Sequence, residues 1–146
     1  MKYNYVKNPS GFVQFKNEKE LYRFLDAELF QEKPLNLFLN IKDPRLIIRQ
    51  FEFAPGCFID YAVFTRSHFI FLFEVKNWFV RIKDMEQLLK YYIHAIEQYG
   101  ENRFSLTVIV GGIEKPRKQI LEKLGIKILL TRTLVEEYEK RSGKTV

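Results

Sequence analysis

Phe58-Ile59-Asp60-Tyr61-Ala62-Val63-Phe64, a polar break from Thr65 to His68, and Phe69-Ile70-Phe71-Leu72-Phe73-Glu74-Val75-Lys76 form two apolar, aromatic-rich runs around a short turn. Such a pattern reads as a β-hairpin. Side chains alternate faces along a strand, so Asp60 is expected on a face with Ala62 and Phe64, and Glu74 and Lys76 on a face with Ile70 and Leu72. Pairing 64 with 70 and 62 with 72 closes on 65/69, leaves Arg66, Ser67 and His68 as the loop, and sets Asp60 opposite Glu74. Two carboxylates and an amine then meet on one surface. That grouping is costly to fold unless a cation, such as a metal, sits between the acids.

Outward from the hairpin, the chain reads as one domain of 146 residues, 1–146, able to bury a continuous core. With 47% hydrophobic and 29% charged residues it is globular rather than disordered, and 16% aromatic content favours strands. A formal charge of +6 suits a polyanionic partner, nucleic acid first and an anionic membrane second. The alternative is a soluble surface that happens to be basic. The single Cys57 excludes an internal disulfide and a cysteine zinc site. A reducing cytoplasmic location is the corresponding expectation. No apolar run of signal-peptide or membrane-spanning length is present, so no membrane role is expected.

In order, Met1 to Phe15 reads as an irregular or short extended leader broken by Pro9 and Gly11. Asn17 followed by Glu20 has the spacing of a capping box, and Leu21, Phe24, Leu25 and Leu29 follow with helical period. Pro34 is expected to stop that helix, and Lys33 to Asp43 to be a loop or to hold a short helical turn. Arg45 to Phe53 alternates as a first strand, and Ala54-Pro55-Gly56 is a turn. Trp78 to Ile82 reads as an apolar loop leaving the sheet. A second helix is expected over Asp84 to Tyr99, ended by Gly100. A strand buried on both faces follows over Phe104 to Val110, with Gly111-Gly112 as a turn. A helix over Glu114 to Leu124, a strand over Ile126 to Leu130 and a helix over Thr131 to Arg141 complete the chain. The order α-β-β-β-α-β-α-β-α predicts an α/β (α+β) mixed sheet of about five strands flanked by helices.

Asp60, thirteen intervening residues, and Glu74-Val75-Lys76 resemble the Asp…Glu-x-Lys signature of the PD-(D/E)XK nuclease superfamily. The α-β-β-β-α-β order resembles its restriction-endonuclease-like core. Gln87 and Tyr91, within Gln-Leu-Leu-Lys-Tyr on the second helix, are similar to the Gln-x-x-x-Tyr motif of the branch found in recombination nucleases and archaeal endonucleases. The usual Pro before the first Asp is replaced by Ile59. The resemblance implies a metal-dependent deoxyribonuclease, endo- or exonuclease, using Mg²⁺ or Mn²⁺, which polarises phosphate and acidifies bound water. It implies Asp60, Glu74 and the backbone carbonyl of Val75 as metal ligands, and Glu20 as a ligand through water. Lys76 would position water or stabilise transition-state charge. Gln87 and Tyr91, a helical turn apart, would orient Lys76, the water or the substrate.

Arg49, Arg81, Lys83 and Lys90 are the expected DNA-backbone contacts, and Lys115, Arg117 and Lys118 a second basic patch. Relatives of this size often act as dimers, so a homodimer is compatible. Every residue has a plainer reading. Asp60 and Glu74 would serve as cross-strand ion-pair partners, Lys76 would snorkel at a strand end, and Glu20 would only cap its helix. Gln87 would cap and Tyr91 line a rim. His68 and His94 have no visible third ligand partner, and Cys57 packs as a small apolar residue. Trp78 and Phe79 either stack on an unpaired base or pack in the core or at an interface. The rival function is a non-catalytic nucleic-acid- or protein-binding module on the same scaffold.

Overall fold

Asn17 starts the first helix as its side chain accepts the Glu20 backbone N–H at 2.8 Å. This computed structural model describes residues 2–31 and 39–143. The helix, α1 (Glu18–Phe24), runs directly into a π-helical turn over Leu25–Leu29. The expected stop at Pro34 lies outside the described residues, as does residue 33–38 of the expected loop; over 39–43 the chain is irregular.

The leader is not irregular. Tyr5–Lys7 (β1) and Val13–Phe15 (β2) pair antiparallel. The residues read as breakers make the turn: Gly11 adopts φ +86°, and the Asn8 side chain accepts the backbone N–H groups of Ser10 and Phe12.

The main sheet contains β3 (Pro44–Ala54), β4 (Cys57–Thr65), β5 (Ile70–Phe79), β6 (Phe104–Gly112) and β7 (Lys127–Leu130), in that spatial order. β3, β4 and β5 are antiparallel, whereas β5, β6 and β7 are parallel. The parallel strands require helical crossovers, supplied by α2 (Ile82–Tyr99) and α3 (Lys115–Leu124); α4 (Thr131–Arg141) closes the chain. Helices cover both faces. Leu21, Phe24 and Leu25 of α1, with Leu134 and Val135 of α4, pack on Tyr61, Val63, Phe73 and Ile109. Met85, Leu88 and Ala95 of α2, with Leu121 of α3, pack on Ala62, Leu72 and Val108. No helix among the described residues is long and apolar enough to cross a membrane.

The hairpin register is the expected one: Ala62 pairs with Leu72 and Phe64 with Ile70, and Thr65 N–H reaches the Phe69 carbonyl at 3.2 Å. Two apolar stretches differ from expectation. β5 continues through Trp78 and Phe79 after an irregularity beyond Lys76, instead of leaving the sheet as a loop. Gly111 and Gly112 lie inside β6 rather than turning the chain. A Cβ on Gly112 would come within 2.7 Å of the Phe79 ring, and one on Gly111 within 2.8 Å of the Asn77 carbonyl oxygen, so these positions are glycine for close approach.

Candidate active site

The β4–β5 ladder regularly pairs Phe64 with Ile70 down to Tyr61 with Phe73. Beyond it the Asp60 side chain takes over: Oδ2 accepts the Val75 backbone N–H at 2.7 Å. Its Oδ1 accepts the Tyr22 hydroxyl at 2.7 Å and Gln50 Nε2 at 2.9 Å. Strict alternation fails here. Ile59 and Ala62 belong to the α2 layer and Tyr61 and Val63 to the α1 layer, so the phase slips between Ile59 and Tyr61. Opposite Asp60, Gln50 holds a left-handed φ of +55°, a conformation unusual for a non-glycine residue. Asp60 is bonded to Tyr22 of α1, so it does not share the layer of Ala62 and Phe64 as expected.

Glu74 keeps the expected phase with Ile70 and Leu72, and is 4% exposed. Burial, then the neighbouring Asp60 carboxylate, to which it hydrogen-bonds, push its pKa far above the usual carboxylate range. In the metal-free protein this favours the protonated form of Glu74. Lys76 Nζ stands 3.5 Å from Glu74 Oε2 and 3.6 Å from Asp84 Oδ1. The structure therefore brings together Asp60, Glu74 and Lys76, and adds Asp84.

Asp84 is buried in the first turn of α2, where its Oδ2 accepts the Arg81 backbone N–H at 2.8 Å. Its place three residues after the helix cap is a sequence signal for capping; only packing against β5 makes it a partner of Lys76. Glu20 is not part of the cluster. It pairs with Arg23 at 2.6 Å and accepts the Asn4 backbone N–H, and the Arg23 hydrogen bond lowers its pKa. The acid of α1 that reaches this region is Glu18, which lines a cavity of about 400 Å³ with Lys76, Trp78, Phe79, Arg81 and Asp84.

Gln87 and Tyr91 are bonded to each other, Nε2 to hydroxyl, at 3.3 Å. Burial and then nearby Glu74 raise the Tyr91 pKa. Gln87 Oε1 is buried and has no hydrogen-bond partner, an acceptor facing a missing donor. Tyr91 also packs edge-on against Phe53, so it is a core residue with its hydroxyl at the site rather than a rim residue.

Of the expected backbone-contacting cations, Arg49 pairs with Asp26 at 2.9 Å and lies over the Tyr22 ring at 4.4 Å. Tyr22 ties it to the Asp60 side of the site. Arg81 lines the cavity, while Lys83 and Lys90 are exposed on α2. Arg117 is turned inward, donating to the Val80 carbonyl at 2.5 Å. His68 is exposed in the hairpin loop, His94 is half-buried, and Cys57 is buried as expected. Trp78 and Phe79 are exposed, 59% and 46%, which removes the core-packing reading for both. Asn77 carried no signal beyond ending an apolar run, yet its buried side chain exchanges two hydrogen bonds with the backbone of Phe15 and docks the N-terminal hairpin on β5.

Among the described residues no group of three or more His, Cys, Asp or Glu side chains is arranged to hold a metal. The pair Asp60 and Glu74 nonetheless fits a hard divalent cation. Both donors are carboxylate oxygens, and the Asp60 carboxylate raises the pKa of buried Glu74, a repulsion that a cation between them would relieve. Magnesium ordinarily takes one or two carboxylates and fills the remaining positions with water.

A mixed five-stranded sheet with an antiparallel entry, parallel exit and helices on both faces is the restriction-endonuclease-like α/β fold. Solved structures sharing it include a repair endonuclease from Pyrococcus abyssi, with a TM-score of 0.59 and 18% identity over 81% of this chain and 50% of the other. EndoMS in complex with double-stranded DNA aligns at a TM-score of 0.60 and 16% identity, over 78% of this chain and 44% of EndoMS. EndoMS in its apo form gives 0.50 and 21% over 78% and 45%. The chain thus spans at most about half the length of these proteins. No family model and no curated protein matches it.

Proposed function

We infer that this chain is a metal-dependent nuclease that hydrolyses phosphodiester bonds in DNA. The observation carrying the reading is the meeting of Asp60, Glu74 and Lys76 where the hairpin strands separate, with Glu74 buried beside another acid. The fold shared with a repair endonuclease and with DNA-bound EndoMS supports it. Asp60, Glu74 and the Val75 carbonyl would hold Mg²⁺ or Mn²⁺, which when bound supplies charge neutralisation at phosphate and a more acidic water.

The chain's own residues do the rest. Lys76, 3.5 Å from Glu74, would present its ammonium to the phosphate oxygens or to the attacking water. Asp84, 3.6 Å away, aims Lys76. Gln87 Oε1 is free to accept from Lys76 or from water, and its bond to Tyr91 fixes its amide. Tyr22 and Gln50 restrain Asp60. Glu20, bound to Arg23, is left to helix capping.

The rival, a binding module without chemistry, draws on one observation: Asp60 is already fully engaged by protein donors. A panel of single-stranded, double-stranded, flap and four-way DNA, plus RNA, incubated with Mg²⁺ or Mn²⁺ separates the two. Cutting by the wild-type chain that disappears in Asp60→Ala, Glu74→Ala and Lys76→Ala is expected. Retention of DNA without cutting, across all metals and shapes, hands the case to the binding module.

A further inference from the structure

A second, larger cavity of about 680 Å³ lies beyond Phe79, at the carboxyl ends of β6 and β7. In open α/β sheets this is where ligands enter. Its charged lining is one-signed: Lys115, Lys118 and Arg132 line it and no carboxylate does. None of the three forms an ion pair among the described residues. Arg49 and Arg81, by contrast, are both paired. The floor is apolar. Phe12 and Phe79 stack there at 5.0 Å between centroids, 21° from parallel, beside Ile113. Phe79 lines both cavities, so this basic chamber and the Lys76 cavity adjoin across one exposed ring. The close approach at Gly112 holds that ring in place.

Aromatic surface under a rim of unpaired cations matches a nucleotide, with a flat base and charged phosphate. A base within a duplex is stacked on both faces and paired along its edge, so it cannot enter a concave chamber. An unpaired base can. We propose that the chamber holds an unpaired nucleotide of the substrate strand, its base on the Phe12–Phe79 pair and its flanking phosphates on Lys115, Lys118 and Arg132. The strand then crosses Phe79 to reach Lys76. This rests on the nuclease reading and narrows its substrate to nucleic acid with a single-stranded segment beside the cleavage point.

Fluorescence anisotropy with a labelled single-stranded oligonucleotide and a blunt duplex, in chelator so that nothing is cut, tests it. The charge-reversed K115E/K118E/R132E chain should bind the single strand at least about ten-fold more weakly. The slope of log affinity against log salt should fall by about two, as expected for three lost single-strand phosphate contacts. Duplex binding should change less than about two-fold. Phe79→Ala, which leaves all charges in place, should weaken single-strand binding by about ten-fold, the scale of one lost base stack. Unchanged single-strand binding in both variants overturns the proposal, as does equal loss on both DNAs. So does displacement by a deoxynucleoside monophosphate as effective as by the strand, which would mark a mononucleotide site. None of these readings requires cleavage. A chain that binds as described but cuts nothing refutes the nuclease reading alone; cleavage of single-stranded and flap DNA indifferent to both variants refutes the chamber alone.

Discussion

The two ends of the β4–β5 hairpin are built differently. At the turn, backbone pairs with backbone: Thr65 N–H bonds the Phe69 carbonyl, and the Thr65 hydroxyl reinforces the same carbonyl at 2.9 Å. At the far end the strands part below Tyr61 and Phe73, and the Asp60 side chain takes a backbone N–H. The first end satisfies its polar groups locally and contains no chemistry. The second leaves Glu74 buried beside another acid and Lys76 stretched between two carboxylates. Buried charge is thus concentrated where the ladder stops, at the end of a hairpin that is otherwise regularly paired.

Glu74→Ala should break the far end most severely, lowering DNA cleavage by at least about a thousand-fold while the turn end, read by amide protection of Phe64 and Ile70, stays intact. Retained cleavage would remove Glu74 from the chemistry. A second test exploits the sign of the Glu74 shift. In metal-free protein the folded state binds a proton that the unfolded chain has already released, so its stabilising contribution is complete below the ordinary Glu value. It is lost as pH rises towards about 9. Stability should fall across that window by no more than about 1.4 kcal/mol per pH unit. Glu74→Gln should flatten the slope, and Mg²⁺ or Mn²⁺ should raise the melting temperature most at the alkaline end. A flat wild-type profile would show that folding does not raise the Glu74 pKa.

Gln87→Leu separates function from packing. It removes an unsatisfied buried carbonyl, which carries a penalty of about 1–3 kcal/mol, so stability should hold or rise while cleavage falls by about ten-fold. A loss of both would make Gln87 structural. Thr65→Val acts at the quiet end and should cost about 1 kcal/mol with no change in cleavage per folded molecule. Smallest of all, His68→Gly relieves a left-handed φ of +64° and should alter stability by less than about 1 kcal/mol, measured by urea titration, with cleavage untouched.

The hairpin register, the helix expected over Asp84 to Tyr99, which starts two residues earlier at Ile82, and the buried β6 were legible because each is written in a short period of apolar residues. The N-terminal hairpin was not. Its support comes from Asn77 on Phe15 and from Thr131 on the Val13 carbonyl, contacts between distant parts of the chain that no local pattern announces. The same reason separates Glu18 from Glu20. Both sit in the first turn of α1, and capping chemistry marks Glu20, but how α1 lies over the sheet makes Glu18 the acid beside the cavity.

By itself the sequence determined that β4 and β5 pair, in what register, and that Asp60, Glu74 and Lys76 arrive at one end of that hairpin. Those outcomes follow from alternation and turn length, which act over a few residues. Only the tertiary structure decided that Asp60 turns towards α1, that Asp84 joins Lys76, and that Trp78 and Phe79 face outward between two cavities. Each of these depends on packing between elements far apart in the chain, where the direction of a side chain is set by its neighbours in space.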